Sequence, residues 1–136
     1  MRLMCARMEV DYVDMFLIHS PYNGQNVETF EALLDLKKQG LIRSVGVSNF
    51  GIAHLEGLKA AGLPPPSVNQ IELHPYQRKE ELVKYCWDND IVPMGYSPLI
   101  RAYHLDDPVF IEIAKRCFGV FGFAAMNVLV FLICIG

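Results

Sequence analysis

The chain has 136 residues, 52% of them hydrophobic and 20% charged, with a formal net charge of −3. That composition suits one domain with a packed core and excludes an intrinsically disordered chain. The slight acidity and the lack of any basic run exclude a nucleic-acid surface.

The amino-terminal MRLMCARMEV lacks the continuous apolar core of a signal peptide. Strand-like apolar runs follow at Val13 to His19, Ser44 to Ser48, Ser67 to Leu73 and Ile91 to Tyr96, each succeeded by a helix-like segment. In the first such segment, Val27 to Gln39, residues Val27, Phe30, Leu33 and Leu34 share one face. Asn26 is predicted as its cap, and Gly40 as its stop. The second, Ile52 to Ala61, carries Ile52, Leu55 and Leu58 and closes at Gly62. The third, Lys79 to Asn89, presents Leu82, Val83 and Cys86. Asp107-Pro108 opens a fourth, with the acid as cap, proline at the first helical position, and Phe110, Ile113 and Ala114 facing inward.

The repeat is roughly 25 to 30 residues, close to one eighth of a (β/α)8 barrel of about 250 residues. Alternating strands and helices imply parallel strands joined by right-handed crossovers, and apolar strands imply a sheet covered on both faces. A doubly wound open sheet shares these features, so periodicity leaves both architectures open.

Polar residues gather at the carboxyl ends of these strands. The first ends at His19. In SVGVSNFG the second ends at Ser48-Asn49. The third holds Gln70 within an apolar run, and the fourth ends at Tyr96-Ser97. In a parallel α/β fold these ends share one rim, where ligand sites form. Each residue has a plainer role: Ser-Asn as a helix cap or Asx turn, Gln70 as partner of a backbone group, Tyr96 as core, His19 as structural. The four histidines form no HExxH or Cys/His cluster, so no metal site is expected. Cys5, Cys86, Cys117 and Cys134 show neither CxxC nor regular spacing and read as reduced thiols of a cytosolic protein.

The stretches DYVDMFLIHSP, GLIRSVGVSNF, VNQIELHPY and IVPMGYSPL resemble consecutive motifs of the aldo-keto reductases. Leu33, Arg43 and the run Val45-Gly46-Val47-Ser48-Asn49-Phe50 match the family's central signature in residue type and spacing. The resemblance runs from about Met8 to about Arg116. It implies an α/β fold, a partial (β/α)8 TIM barrel of about four βα units over residues 1–116, corresponding to strands four to seven. It also implies NADPH bound in extended form (NADH as the alternative) and hydride transfer to a small-molecule aldehyde or ketone. Ser48, Asn49 and Gln70 match the positions that hold the nicotinamide carboxamide, whose oxygen and NH2 need donors and acceptors together. Tyr96 matches the aromatic that stacks on the nicotinamide. Ser97 and Leu99 match the start of the pyrophosphate cradle, and His19 matches the histidine that hydrogen-bonds the substrate carbonyl.

The family's proton-donating tyrosine, with its lysine and aspartate, belongs to units that these motifs do not include. Tyr12 and Tyr22 do not fall where the donor belongs. A chain inactive on its own is therefore expected, as a truncated or aberrantly terminated product. The alternatives are a non-catalytic cofactor-binding or regulatory module and a membrane-tethered vestigial fragment. The two open edges of such a half-barrel invite self-association.

From Cys117 to Gly136 no charged residue occurs. Twenty residues would span roughly the 30 Å core of a bilayer, with Lys115 and Arg116 as a cytosolic flank. This tail reads as translated non-coding sequence, a membrane anchor, or an apolar helix packed on the half-barrel. The expected location is cytoplasmic, or membrane-associated if the tail inserts.

Overall fold

A computed structural model describes residues 2–22, 24–104 and 106–118. Helix α1 (Arg2–Arg7) leads into strand β1 (Val13–Ile18), followed by α2 (Asn26–Lys38) and β2 (Ile42–Ser48). Then come α3 (Ile52–Ala60), β3 (Val68–Glu72), α4 (Glu80–Asp88) and β4 (Val92–Tyr96). A 3-10 turn (Ile100–Ala102) and α5 (Pro108–Phe118) follow.

The helices form where apolar residues recur at helical spacing. On α2, Phe30 and Leu33 are buried, with Val27 and Leu34 packed beside them, as the spacing predicts. Asn26 is not the cap. It is the first helical residue, Gln25 precedes it as N-cap, and no side chain bonds the first N–H groups; the Thr29 hydroxyl instead donates to Gln25 O at 2.6 Å. At the other end Gly40 takes φ +76°, its N–H bonds Lys37 O at 2.9 Å, and Leu41 N bonds Leu36 O at 3.1 Å. These are the paired bonds of a Schellman stop, which requires the left-handed backbone that glycine adopts without strain. On α3, Leu55 and Leu58 are buried, but Ile52 stays 37% exposed at the helix start, before the apolar stripe meets the sheet. On α4, Cys86 is fully buried, and Leu82 and Tyr85 pack against the core.

The four strands form one parallel sheet in the order β1-β2-β3-β4. A doubly wound sheet reverses its strand order at a switch point; this one runs in sequence, which is the arrangement of a partial (β/α)8 barrel. Register places Leu17 beside Gly46 and Ile18 beside Val47, then Val47 beside Asn69 and Ser48 beside Gln70. Burial on both faces holds for the inner strands alone. Val45 to Ser48 of β2 are all buried, whereas β1 exposes Asp14 and Met15 and β4 exposes Val92 and Gly95, because both lie at sheet edges.

At Gly46 three strands approach closely. A Cβ there would lie 2.6 Å from Leu17 Cδ2, 2.6 Å from Val68 Cγ2 and 2.9 Å from the main-chain oxygen of Val68. The side chains can rotate, but the carbonyl of β3 cannot move without shifting the strand. Gly46→Ala is therefore expected to cost about 1–3 kcal/mol through overpacking. Urea unfolding would report it as a lower midpoint at unchanged slope; an unshifted midpoint would refute the close-packing account.

Two compact units divide the chain, Met1–Ile71 with Glu80–Met94, and Glu72–Lys79 with Gly95–Gly136. In the second unit Leu73 N donates to Tyr96 O at 3.3 Å, and His74 and Gln77 exchange main-chain bonds. The Tyr76 hydroxyl donates to Asp107, and its ring lies 4.9 Å from His104 and 5.5 Å from Phe110. Asp107 Oδ1 also accepts from Val109 N at 2.8 Å, so it caps α5 ahead of Pro108 as predicted. These donors, Tyr76 foremost, hold the Asp107 carboxyl below the ordinary carboxylate range, and the same bond pushes the Tyr76 phenol up. Of the apolar stretch 117–136, residues 119–136 lie outside the described residues, so the expected tail and its anchoring lie outside them too. Among the described residues no helix is long and apolar enough to cross a membrane.

Candidate active site

Side chains alternate between the faces of a strand, so residues two apart share a face. Leu17, Gly46 and Val68 meet on one face, since a Cβ on Gly46 would strike the side chains of the other two. Two residues further along, Ser48 and Gln70 are paired in register on that same face. His19 stands two residues past Leu17, directly after β1. The carboxyl ends of three neighbouring strands thus present His19, Ser48 and Gln70 in one row, with Asn49 in the turn beyond β2.

A network of hydrogen bonds holds this row. Ser48 Oγ donates to Gln70 O at 2.8 Å, and Asn49 N donates to the same oxygen at 2.8 Å. Asn49 Nδ2 donates to His19 O and to Ser48 Oγ, each at 3.0 Å. The end of β1 is therefore tied to the end of β2, and β2 to β3, through groups at a single rim. Ser48 is buried, Asn49 and Gln70 are half-buried, and His19 is exposed. Asn49 takes φ +60°, a left-handed conformation that asparagine tolerates better than most residues and that turns the chain sharply away from the sheet.

Gln70 Nε2 donates to Met94 Sδ at 3.2 Å. A thioether is a weak acceptor, so the amide exchanges that partner at little cost for a carboxamide oxygen. The Ser48 hydroxyl hydrogen and both Asn49 Nδ2 hydrogens are engaged within the row, so Gln70 Nε2 is the donor and the oxygens of Ser48, Asn49 and Gln70 the acceptors for a primary carboxamide, which requires both. The donor set fits the nicotinamide head.

Two residues of functional interest went unread in the sequence. One is Met94, which sits among the apolar residues of β4 and carries no polar signal. The other is Asn69, which is completely buried and whose amide bonds both the N–H and the C=O of Phe50. Its signal was present: a second amide beside Gln70, and so on the opposite, helix-covered face. The backbone-satisfying role considered for Gln70 belongs to Asn69. Arg43, part of the matched signature, is at the other end of β2, where it pairs with Asp14 at 2.9 Å and lies 4.0 Å over the Tyr12 ring. That pair is solvent-exposed and contributes little.

Tyr96, Ser97 and Leu99 belong to the second unit. Tyr96 is half-buried and offers its main-chain oxygen to Leu73. Ser97 has φ +51° and its oxygen accepts from Ile100 N at 2.9 Å, so a tight turn follows β4 at once. Among the described residues no group of three His, Cys, Asp or Glu side chains is placed to hold a metal ion.

Comparison with known proteins identifies the family to which this fold belongs. The model of the Aldo/keto reductase family matches residues 2–103. An uncharacterized oxidoreductase of Bacillus subtilis, YtbE, is 42% identical over 110 residues, which cover 81% of this chain and 39% of that protein. The glyoxal reductase of the same bacterium is 41% identical over 110 residues, covering 81% and 40%. Among solved structures, an aldo/keto reductase from Brucella melitensis superposes with a TM-score of 0.83 at 35% identity, over 95% of this chain and 49% of that one. The aldo-keto reductase AKR2E5, complexed with NADPH, gives 0.79 at 29% identity, over 95% and 44%. The chain thus spans about two-fifths of the length of the curated relatives it matches. With the family model covering most of the chain and the strands ordered as in a barrel, this protein belongs to the aldo/keto reductase family.

Proposed function

We propose that the rim formed by Ser48, Asn49 and Gln70 holds the nicotinamide end of NADPH, in a protein of oxidoreductase type that reduces aldehydes or ketones to alcohols. The carrying observation is the hydrogen-bonded row itself, which joins three strand ends through the group types a carboxamide needs. Bound there, the cofactor supplies a hydride. The rest falls to the chain. Ser48 and Asn49 fix the carboxamide and with it the ring's orientation, and Gln70 trades its thioether partner for the carboxamide oxygen. Tyr96, Ser97 and Leu99, which belong to the second unit, match the family's ring-stacking and pyrophosphate positions. An imidazole N–H of His19, beside the row, donates to the substrate carbonyl oxygen and orients it for attack. The NADPH complex of AKR2E5 supports the choice of the phosphorylated cofactor, though NADH carries the same head.

Asn49→Gly tests this reading cleanly. Glycine keeps the left-handed turn without strain but removes the carboxamide. Titration of nucleotide fluorescence is expected to show NADPH affinity about tenfold weaker, the loss of one or two hydrogen bonds, while unfolding weakens by about 1–2 kcal/mol for the lost bonds to His19 O and Ser48 Oγ. Equal affinity in the variant would remove Asn49 from the site.

A second reading, a cofactor-binding module without turnover, is favoured by the tyrosines of the first unit. Tyr12 is at the amino end of β1 under Arg43, and Tyr22 is 89% exposed. The Tyr85 hydroxyl bonds Glu56 on α3, and burial with that bond pushes its phenol up to about 12. None of the three is at the row, so we expect the 136 residues by themselves to bind cofactor better than they turn over substrate. The buried thiols of Cys5 and Cys86 support a cytoplasmic location. Among the described residues the outer edges of β1 and β4 pair with no further strand, which favours self-association.

A further inference from the structure

We propose that Asn69 is the positioning residue that holds Asn49 in its left-handed turn, by clamping the main chain of Phe50 from behind the sheet. This inference rests on the reading of Asn49 as a nicotinamide contact only where it touches cofactor affinity; the conformational part stands alone.

Strand β2 stops pairing at Ser48, opposite Gln70. Asn49 then reverses the backbone with φ +60°, and α3 begins at Ile52. A single residue held left-handed between a strand and a helix needs anchors on both sides, because otherwise the chain relaxes to an ordinary conformation. The upstream anchor is the bond from Asn49 N to Gln70 O at 2.8 Å. The downstream anchor is Asn69. Its Oδ1 accepts from Phe50 N at 3.3 Å and its Nδ2 donates to Phe50 O at 2.8 Å. The side-chain amide thus replaces the strand partner that β3 no longer supplies at this point.

Asn69 and Gln70 are consecutive on β3 and point to opposite faces. One strand therefore holds the turn from both sides, Gln70 through its carbonyl at the rim and Asn69 through its side chain beneath. Asn69 is fully buried, and its Nδ2 also lies 3.9 Å from Cys86 Sγ on α4. With both amide ends engaged on one residue, a flipped amide would oppose donor to donor and acceptor to acceptor. The orientation is fixed, and Phe50 with it. Only an amide provides a donor and an acceptor at this spacing.

Asn69→Leu keeps the size and removes both bonds. Nuclear magnetic resonance would read the conformation directly. A left-handed residue has an unusually short distance between its amide and α protons, so Asn49 gives a strong intraresidue cross-peak. In Asn69→Leu that cross-peak is expected to fall to ordinary strength and the Phe50 amide to exchange faster. NADPH affinity, read by nucleotide fluorescence, is expected to weaken about tenfold, the effect of misplacing one or two hydrogen bonds. Ile42→Val, a core change remote from the pair, serves as the stability control and is expected to keep both cross-peak and affinity. If Asn69→Leu does not fold, Asn69→Ser, which retains one hydrogen-bonding group, is read in the same way. A variant that keeps the strong Asn49 cross-peak and the wild-type Phe50 exchange overturns the proposal. A wild-type chain that does not bind NADPH overturns the cofactor reading instead, and the conformational measurements still decide the role of Asn69. Affinity unchanged, as in Ile42→Val, would reduce Asn69 to a structural residue.

Discussion

Phe50→Ala is expected to destabilise the protein by about 3–5 kcal/mol, the usual range for emptying a buried aromatic site. Phe50 has no exposed surface and belongs to the cluster formed by Val45, Val47, Leu55, Leu58 and Cys86. Its ring meets His54 edge-on at 5.7 Å, and His54 Nδ1 in turn accepts from Gly51 N at 3.1 Å, at the start of α3. The neighbours come from a strand and two helices held by their own backbone bonds, so the cavity collapses only partly. That places the cost toward the upper part of the range. The loss is a large share of the 5–15 kcal/mol typical of a whole domain. Because Phe50 follows Asn49, the candidate site should loosen together with the core. Equilibrium urea unfolding followed by far-ultraviolet circular dichroism gives the stability, and the same samples titrated with NADPH give the site. A loss below about 1 kcal/mol would mean that the Phe50 pocket refills, against the packing argued here.

This coupling between core and rim explains which features were legible in the sequence. Strand and helix positions were, because burial of β2 and β3 under α2, α3 and α4 imposes periods that Val45, Val47, Phe30, Leu33 and Leu58 display. The stops at Gly40 and Gly62 and the cap at Asp107 were legible because each depends on one local residue type. The cap at Asn26 was not. Whether a polar residue stands just outside a helix or just inside it turns on a single backbone angle, which composition does not specify. The exposure of Met15 and Val92 was missed for a different reason: an edge strand and a central strand of a parallel sheet have the same apolar composition, and only the strand order separates them. Among the polar residues, the row of His19, Ser48 and Gln70 was readable because His19 and Ser48 end apolar runs and Gln70 interrupts one. Asn69 was hidden by its neighbour Gln70. Two adjacent amides in a strand face opposite ways, and the sequence alone does not say which meets ligand and which meets backbone.

The division of labour between those two amides also separates stability from affinity. Substitutions beneath the sheet, at Phe50 or Asn69, should move both. Substitutions on the rim, at Ser48 or Gln70, remove groups that are half-buried or bonded to one main-chain oxygen, and should weaken cofactor binding with smaller effects on unfolding. A plot of one quantity against the other across such a set would fall on two lines if the two faces act separately, and on one if the rim is merely part of the core.

The largest expected kinetic effect concerns the 136-residue chain by itself. Assayed with NADPH and a simple aldehyde beside a full-length family member, it should turn over about 10²- to 10⁴-fold more slowly, the contribution of one positioned general acid. Hydride delivery leaves an alkoxide that must be protonated, and a proton donor within hydrogen-bond reach of the oxygen lowers that barrier. In the proposed reading His19 orients the carbonyl, but neither Tyr12, Tyr22 nor Tyr85 stands at the row of Ser48, Asn49 and Gln70. Rate and affinity should therefore part company, with NADPH still quenching or shifting its own fluorescence while consumption stays near background. The pH profile carries a second check, since a rate limited by the missing acid should rise as the solution supplies protons. Turnover at the rate of the full-length relative would show that these residues contain a donor of their own, and the assignment of roles along the rim would have to be redrawn around it.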